Sequence, residues 1–539
     1  MNQNSSSRFT PILLALCLVA GILIGTFYAN HFSGNRLNII NTNSNKVNDL
    51  LRIIDDQYVD TVNMTELVEQ AMPRILAELD PHSGYIRAKD AEASVESLKG
   101  SFSGIGVSFT KQNDTARIIS VIKGGPSEKV GLLAGDRIVN VDGKDITAKE
   151  ITAEDCMKLM KGKKGTKVKL GIQRMGEKKP LYYTITRGDI PVHSIEATYM
   201  LTPETGYVKI KSFSETTYPE LLVALAELNQ KGFKNLVIDL RDNTGGIMQT
   251  AIQMANIFLP KNRLILYTEG RKFPREEYKS DGRGAFPNLP LTVLVNEGSA
   301  SASEIVCGAL QDWDRAIIVG RRSFGKGLVQ RQYLLPDGSA LRLVIARYHT
   351  PSGREIQRPY VKGGDRTAYR THSLPDTIPS PAYRTLRTGR TVYGGGGIAP
   401  DVCVIQDTVQ ASYLNALLRK NIFPEFMQRY LDRNRTALER DYPEFASFEE
   451  RFEVPDEMYE ELIGLGLEQG VTPPAEDSDV EAGTRRLLKA LLAERLFDRE
   501  ALLRILHARD DADFIRAFEL LKNWEAEGLP LLEAQHERQ

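Results

Sequence analysis

Apolar residues follow two rhythms along this chain. Between Val47 and about Leu98, Leu50, Leu51, Ile53 and Ile54, then Leu67, Val68, Met72, Ile75 and Leu76, recur at helical spacing around the turn Leu79-Asp-Pro-His-Ser-Gly-Tyr85. This predicts a helical segment over residues 36–99, in which His82 is a turn residue rather than a catalytic one. From about residue 100 the apolar residues gather in β-branched runs such as Ala116–Ile122. Tyr207–Phe213 then alternates as a strand, and Leu221–Leu228 has the periodicity of a helix. Asn235–Leu240, Leu291–Asn296 and Ala316–Gly320 are apolar runs that read as buried strands, and Ile305, Val306, Ala309, Leu310 and Trp313 mark a helix over Glu304–Trp313. Alternating strands and helices predict an α/β core over 188–408. The pair Gln332–Leu335 and Ala340–Ala346, flanking Pro-Asp-Gly-Ser, reads as a hairpin closing it. Lys362–Pro381 is rich in turn residues and charge and reads as a loop or insertion. Beyond about residue 410 charged amphipathic stretches such as Arg485–His507 predict an all-helical appendage over 409–539, with a linker near 472–483.

Length and charge agree with several modules. A chain of 539 residues is too long for one core. Lys plus Arg total 69 against 70 acidic residues, so no basic footprint for nucleic acid exists. After Arg8, the uncharged run Pro11–Phe27 reads as an export segment, and its flanks favour an uncleaved anchor over 1–35 with the short tail inside. In a bacterium this expects a single-pass protein of the cell envelope, on the periplasmic side of the inner membrane. Cys17, Cys156, Cys307 and Cys403 are too scattered for a disulfide framework, and no metal-ligand spacing occurs, so neither metal nor cofactor is expected.

Three turns of the α/β core concentrate the candidate chemistry. Ser301 falls between an apolar strand and a helix, where its hydroxyl stands outside the carboxyl end of the sheet. The N–H groups of the helix's first turn, Ala302 foremost, face the place where an oxyanion would form. Ser301-Ala-Ser-Glu304 is equally a capping box, which needs no chemistry. Lys326, flanked by Gly325 and Gly327, is the candidate base. Free lysine titrates near ~10.4, so burial would have to lower that value by roughly 3 units. Gln330 is spaced to hold its amine. Lysines in glycine-rich loops are ordinarily solvated, however. Gly245 and Gly246 follow the strand Asn235–Leu240 and serve either as a tight turn or as a second oxyanion donor. His349 is the competing base, with a packing role as the simpler reading.

Leu240-Arg-Asp-Asn-Thr-Gly-Gly246, Ser299–Glu304 with Gly308–Asp312, and Phe324–Gln330 together resemble the carboxyl-terminal processing peptidases, Ser/Lys endopeptidases carrying a PDZ domain. The resemblance runs from about residue 45 to 403 and implies a ClpP/crotonase-like α/β core. It implies Ser301 as nucleophile, Lys326 as base, Gln330 as its orienting partner, and the amides of Ala302 and of Gly246 or Gly245 as oxyanion donors. Thr350–Gln357 also resembles a family signature and reads as structural. Gly104-Ile105-Gly106-Val107, with Ala116–Ile122 and Ala134–Gly143 behind it, resembles a PDZ domain and implies a mostly β unit over 100–187, whose first loop would capture a free chain terminus while the peptide adds to a sheet edge. The implied partners are proteins with unstructured carboxyl-terminal tails. For the carboxyl-terminal helices a homo-oligomer contact, a lid and an adaptor surface remain alternatives. An inactive membrane-anchored PDZ scaffold and a small-acyl hydrolase are the rival functions.

Overall fold

The computed structural model describes residues 18–21, 36–112, 115–371, 381–405, 408–474, 478–507 and 511–533. The anchor expected over Pro11–Phe27 lies outside them except for Leu18–Gly21, and no described helix is long and apolar enough to cross a membrane. Residues up to Leu79 form a unit of their own, with helices Arg36–Gln57 and Met64–Ala77. Asn63 caps the second helix, its side-chain oxygen accepting the Glu66 N–H at 3.1 Å.

In the second unit, Val107–Gln112, Thr115–Val121, Arg137–Val141, Lys167–Gln173 and Leu181–Thr186 form an antiparallel sheet in that spatial order. Ile118, Ile138, Leu170 and Ile172 close its core against Cys156 and Met160 of the helix Ala153–Met160. Val107–Gln112 is an outer strand, so one edge stands open for a further strand.

The α/β core is a sheet ordered Ile195–Met200, Thr205–Ile210, Asn235–Asp239, Leu291–Val295, Ile317–Gly320 and Val402–Cys403, parallel after its first pair. Its central strands, Asn235–Asp239, Leu291–Val295 and Ile317–Gly320, are mostly apolar because both faces are covered. Leu236, Ile238, Val293, Val295 and Ile318 pack with the crossover helices Thr217–Gln230, Met248–Phe258 and Ala302–Asp312. Val237, Leu294, Ile317 and Val319 face the other way, into a cluster with Phe423, Phe426, Leu488 and Phe514 from the carboxyl-terminal helices. That region is therefore not an appendage: it is the second layer on the parallel sheet. Its helices also divide differently from the sequence reading. Ser478–Leu496 and Arg499–His507 are separate, broken where Asp498 caps the second by accepting the Ala501 N–H at 2.9 Å. The chain is helical from Ser478, where Val480 and Leu488 enter the core, so the linker cannot extend to residue 483.

The predicted hairpin forms, Leu328–Leu334 pairing antiparallel with Ala340–His349. It does not close the parallel sheet, whose edge is held by Val402–Cys403. It belongs instead to a second sheet with Gly84–Ile86, Leu264–Gly270 and Phe273–Lys279. Within the Lys362–Pro381 insertion a short helix, Arg366–Thr371, is described.

Candidate active site

Three strand ends of the parallel sheet release the turns 240–246, 296–303 and 321–327, and backbone hydrogen bonds stitch them together. The Ala300 N–H donates to the Asn243 carbonyl at 2.9 Å, and the Phe324 N–H to the Ser299 carbonyl at 2.9 Å. The Ser299 hydroxyl donates to the Leu240 carbonyl and the Ser303 hydroxyl to the Asn243 carbonyl, each at 2.8 Å. Both of those serines are fully buried, whereas Ser301 between them is half-buried. Ser301 has φ 56° and ψ −110°, a conformation that β-carbon sterics disfavour and that only a rigid surround maintains.

That surround is Glu304. Its carboxylate is buried and accepts four hydrogen bonds: from the Ser301 N–H at 2.7 Å, the Lys326 N–H at 2.9 Å, the Gly325 N–H at 2.7 Å and the Ser323 hydroxyl at 2.5 Å. Burial pushes its pKa up, and the four donors oppose that shift. Ser301 and Lys326 donate to the same oxygen, Oε2, so the sum of two hydrogen-bond lengths limits the separation of their backbone nitrogens. Glu304 thus fulfils its part of the capping box and also joins the serine turn to the lysine loop.

The Lys326 amine donates to Gln330 Oε1 at 2.9 Å, and Gln330 Nε2 donates to the His82 carbonyl at 2.8 Å. The His82 ring lies 3.2 Å from the Tyr369 hydroxyl, which accepts from Gln357 Nε2 at 2.8 Å, while Gln357 Oε1 accepts the Gly327 N–H at 2.9 Å. A ring of side chains therefore returns to the residue next to Lys326. His82 is seated by Asp80, whose carboxylate accepts the His82 and Ser83 N–H groups at 2.7 and 2.6 Å, consistent with a turn role. Sequence reasoning missed Tyr369 because nothing local marks it within the insertion. Gln357 was visible only as part of a signature, the rest of which is structural: Arg354, fully buried, pairs with Asp312 at the end of the serine helix.

On the third turn, the Gly245 N–H donates to Asn243 Oδ1 at 2.9 Å. The Phe213 N–H donates to the Gly245 carbonyl at 3.0 Å and the Ile247 N–H to the Phe213 carbonyl at 2.7 Å, so Gly246 directs its own amide away from Phe213. A β-carbon at Gly245 would stand 2.8 Å from the Ala302 nitrogen and 2.8 Å from Ser301 Cβ, and its φ is 95°; only glycine fits this approach. Ala302 and Gly245 consequently border Ser301, with Gly246 next along the turn. His349 does not. Tyr348 donates its hydroxyl to the Ser301 carbonyl at 3.2 Å, so the next residue along the strand points to the opposite face, where His349 stacks on Tyr267 at 4.7 Å.

Gly104 ends the strand Ser101–Gly104, paired with Gly188–Pro191, and Ile105 and Gly106 lead from it into the open edge strand at Val107. Ile105 is buried among Cys156, Met160 and Leu170, and Gly106, at φ 78°, accepts the Ile122 N–H on its carbonyl at 3.0 Å. A cavity of about 1160 Å³ lies between this sheet, Ser108–Thr110 of the edge strand included, and the helix Ile422–Asp441, and none of the groups around Ser301 lines it.

Glu304→Gln preserves shape but replaces one acceptor oxygen with a donor, leaving at least one buried N–H unpaired at about 1–3 kcal/mol. Thermal unfolding should shift down and kcat should fall about tenfold or more as the loops separate. An unchanged kcat would remove Glu304 as the clamp.

Comparison with known proteins gives a consistent placement. Residues 204–363 match the model of peptidase family S41, residues 103–183 that of the PDZ domain, and residues 413–498 a family of unknown function. A carboxy-terminal-processing protease from Bartonella bacilliformis is 39% identical over 315 residues, covering 57% of this chain and 71% of that protein. A probable CtpA-like serine protease from Staphylococcus aureus is 33% identical over 397 residues, covering 71% of this chain and 76% of that protein. Among solved structures, the PDZ domain of a carboxy-terminal protease from Vibrio cholerae is 36% identical, covers 17% of this chain and 97% of its own, and has a TM-score of 0.15. The chain belongs to the carboxyl-terminal processing peptidases, the PDZ-containing serine endopeptidases of peptidase family S41.

Proposed function

We propose that this endopeptidase cuts proteins through a Ser301/Lys326 dyad after its PDZ domain has captured a free carboxyl terminus. The observation that carries the dyad is the tether Lys326–Gln330–His82 on a loop whose backbone shares Glu304 with Ser301. Neutral Lys326 takes the Ser301 proton as the oxygen attacks the peptide carbonyl. The N–H groups of Ala302 and Gly246 stabilise the tetrahedral oxyanion. Gly246 is the better donor than Gly245, whose amide is held by Asn243. The protonated lysine then delivers its proton to the leaving amine. A water molecule, deprotonated by the same lysine, releases the acyl-enzyme and regenerates Ser301. No metal or cofactor enters this cycle.

Gly104, Ile105, Gly106 and Val107 would hold the substrate carboxylate while the preceding tail pairs with the open strand Val107–Gln112. The apolar run Pro11–Phe27 after Arg8 supports an anchored, envelope-facing protein on the periplasmic side of a bacterial inner membrane.

Ser301→Ala and Lys326→Ala should each abolish cleavage of a tailed substrate without loss of folding, and wild-type activity should rise into the alkaline range with no histidine-like onset near ~6.5. Substantial turnover by folded Lys326→Ala would end the dyad reading. In the same assay an amidated tail should be cut about tenfold less efficiently than a free one, ~1.4 kcal/mol; equal rates would remove carboxylate capture. After cell fractionation the protein should stay with the membrane in high salt and be open to protease only from the periplasmic side. A soluble product beginning just after Ala29 would show a cleaved signal instead.

A further inference from the structure

The helix Ala512–Lys522 packs across the ends of the strands Asn235–Asp239, Leu291–Val295 and Ile317–Gly320, from which the three turns of the site depart. Its amino end carries two acidic residues into that junction, where both meet arginines of the turns. Arg241 opens the turn that ends in Gly245 and Gly246. Its guanidinium donates to both oxygens of Asp511 at 2.5 and 2.6 Å, while Nη1 reaches Asp513 at 3.3 Å. Its other partner is the fully buried Asp239, at 2.6 Å. Arg321 opens the loop that carries Lys326. Its Nη1 donates to both oxygens of Asp513 at 2.9 Å, and its Nε to Glu297, at the start of the serine turn, at 3.1 Å. Arg241 and Arg321 retain little exposure, and Asp513 is buried. Screening by water is correspondingly weak, and the bidentate Arg241–Asp511 pair fixes direction as well as distance, while Arg321 reaches both oxygens of Asp513 through one nitrogen.

We infer that Asp511 and Asp513 are positioning residues for catalysis, through which the carboxyl-terminal layer sets the register of the glycine turn against the lysine loop. The inference rests on the Ser301/Lys326 reading. The two aspartates touch neither the reacting serine nor its lysine: Asp511 acts through Arg241, and Asp513 through Arg321 and, more distantly, Arg241. Glu304 clamps the serine and lysine turns from within the core, whereas this pair fixes the bases of the lysine and glycine turns from the opposite layer. Packing alone does not require charge at this place, since Val237, Leu294, Ile317 and Val319 already bind the two layers by apolar contact.

The test uses the full chain, because removing the helices would uncover one face of the sheet. Asp511→Asn keeps a good helix cap while deleting the charge, and Asp513→Asn keeps the side-chain shape. Each should lower kcat by about tenfold or more with KM within about twofold of wild type, measured per folded molecule below the unfolding transition. Asp513→Glu should restore part of the loss. Arg321→Gln should add little to Asp513→Asn, because the two lie on one connection. Glu461→Gln, in the exposed Arg433–Glu461 pair of the same layer, should leave kcat unchanged. Unchanged kcat in folded Asp513→Asn and Asp511→Asn, or full additivity of Arg321→Gln with Asp513→Asn, would overturn the positioning role. Ser301→Ala and Lys326→Ala, assayed alongside, separate that failure from failure of the dyad: activity surviving in either would sink the dyad itself.

Discussion

The carboxylate of Glu304 is the point to which the catalytic region is tied. A buried carboxylate is costly unless its oxygens are met by donors, and here all four donors come from the two turns that must lie side by side. The same bonds that satisfy the charge hold Ser301 at positive φ and bring the Lys326 backbone beside it. Chemistry and stability therefore draw on one interaction. The glycine turn completes the arrangement by approaching so closely that a β-carbon would collide with Ser301 and Ala302.

A second constraint comes from the sheet. Strands buried on both faces need two layers of helices, and the crossover helices supply only one. The carboxyl-terminal helices supply the other, so apolar burial by residues such as Phe426 and Phe514 gives this region its place. Once there, it brings charged side chains to the strand ends, where the sheet's own turns carry arginines. Architecture and active site are thereby linked by ordinary layer packing.

Much of this was legible in the sequence, and the limits have physical causes. Ser301, Ala302, Gly246 and Lys326 follow strand ends of the core, and Gln330 lies in the strand Leu328–Leu334 just after the lysine loop, so their order in the sequence pointed to neighbouring turns. The partition of Leu236 from Val237, and of Val293 from Leu294, follows from strand alternation. The second role of Glu304 was hidden because a capping box explains it fully at short range. Tyr369 and His82 meet across a sequence separation that no local pattern reports. The carboxyl-terminal helices were recognisable as amphipathic, but amphipathicity does not say which surface is covered; the strand Leu291–Val295, apolar but for Thr292, was the available clue. The hairpin was read correctly as a pairing and assigned to the wrong sheet, since β-pairing beyond a hairpin is set by non-local contacts.

The central claim is that Ser301 is the residue made nucleophilic, and Lys326 the group that makes it so. The most direct measurement is peptide mapping by mass spectrometry after treatment with a serine-directed phosphonylating probe, with the labelling rate followed in wild type and in folded Lys326→Ala. One adduct on Ser301, formed about a hundredfold more slowly without the lysine, is the expected result. An adduct on another residue, or labelling of Ser301 at the same rate in both proteins, would contradict it.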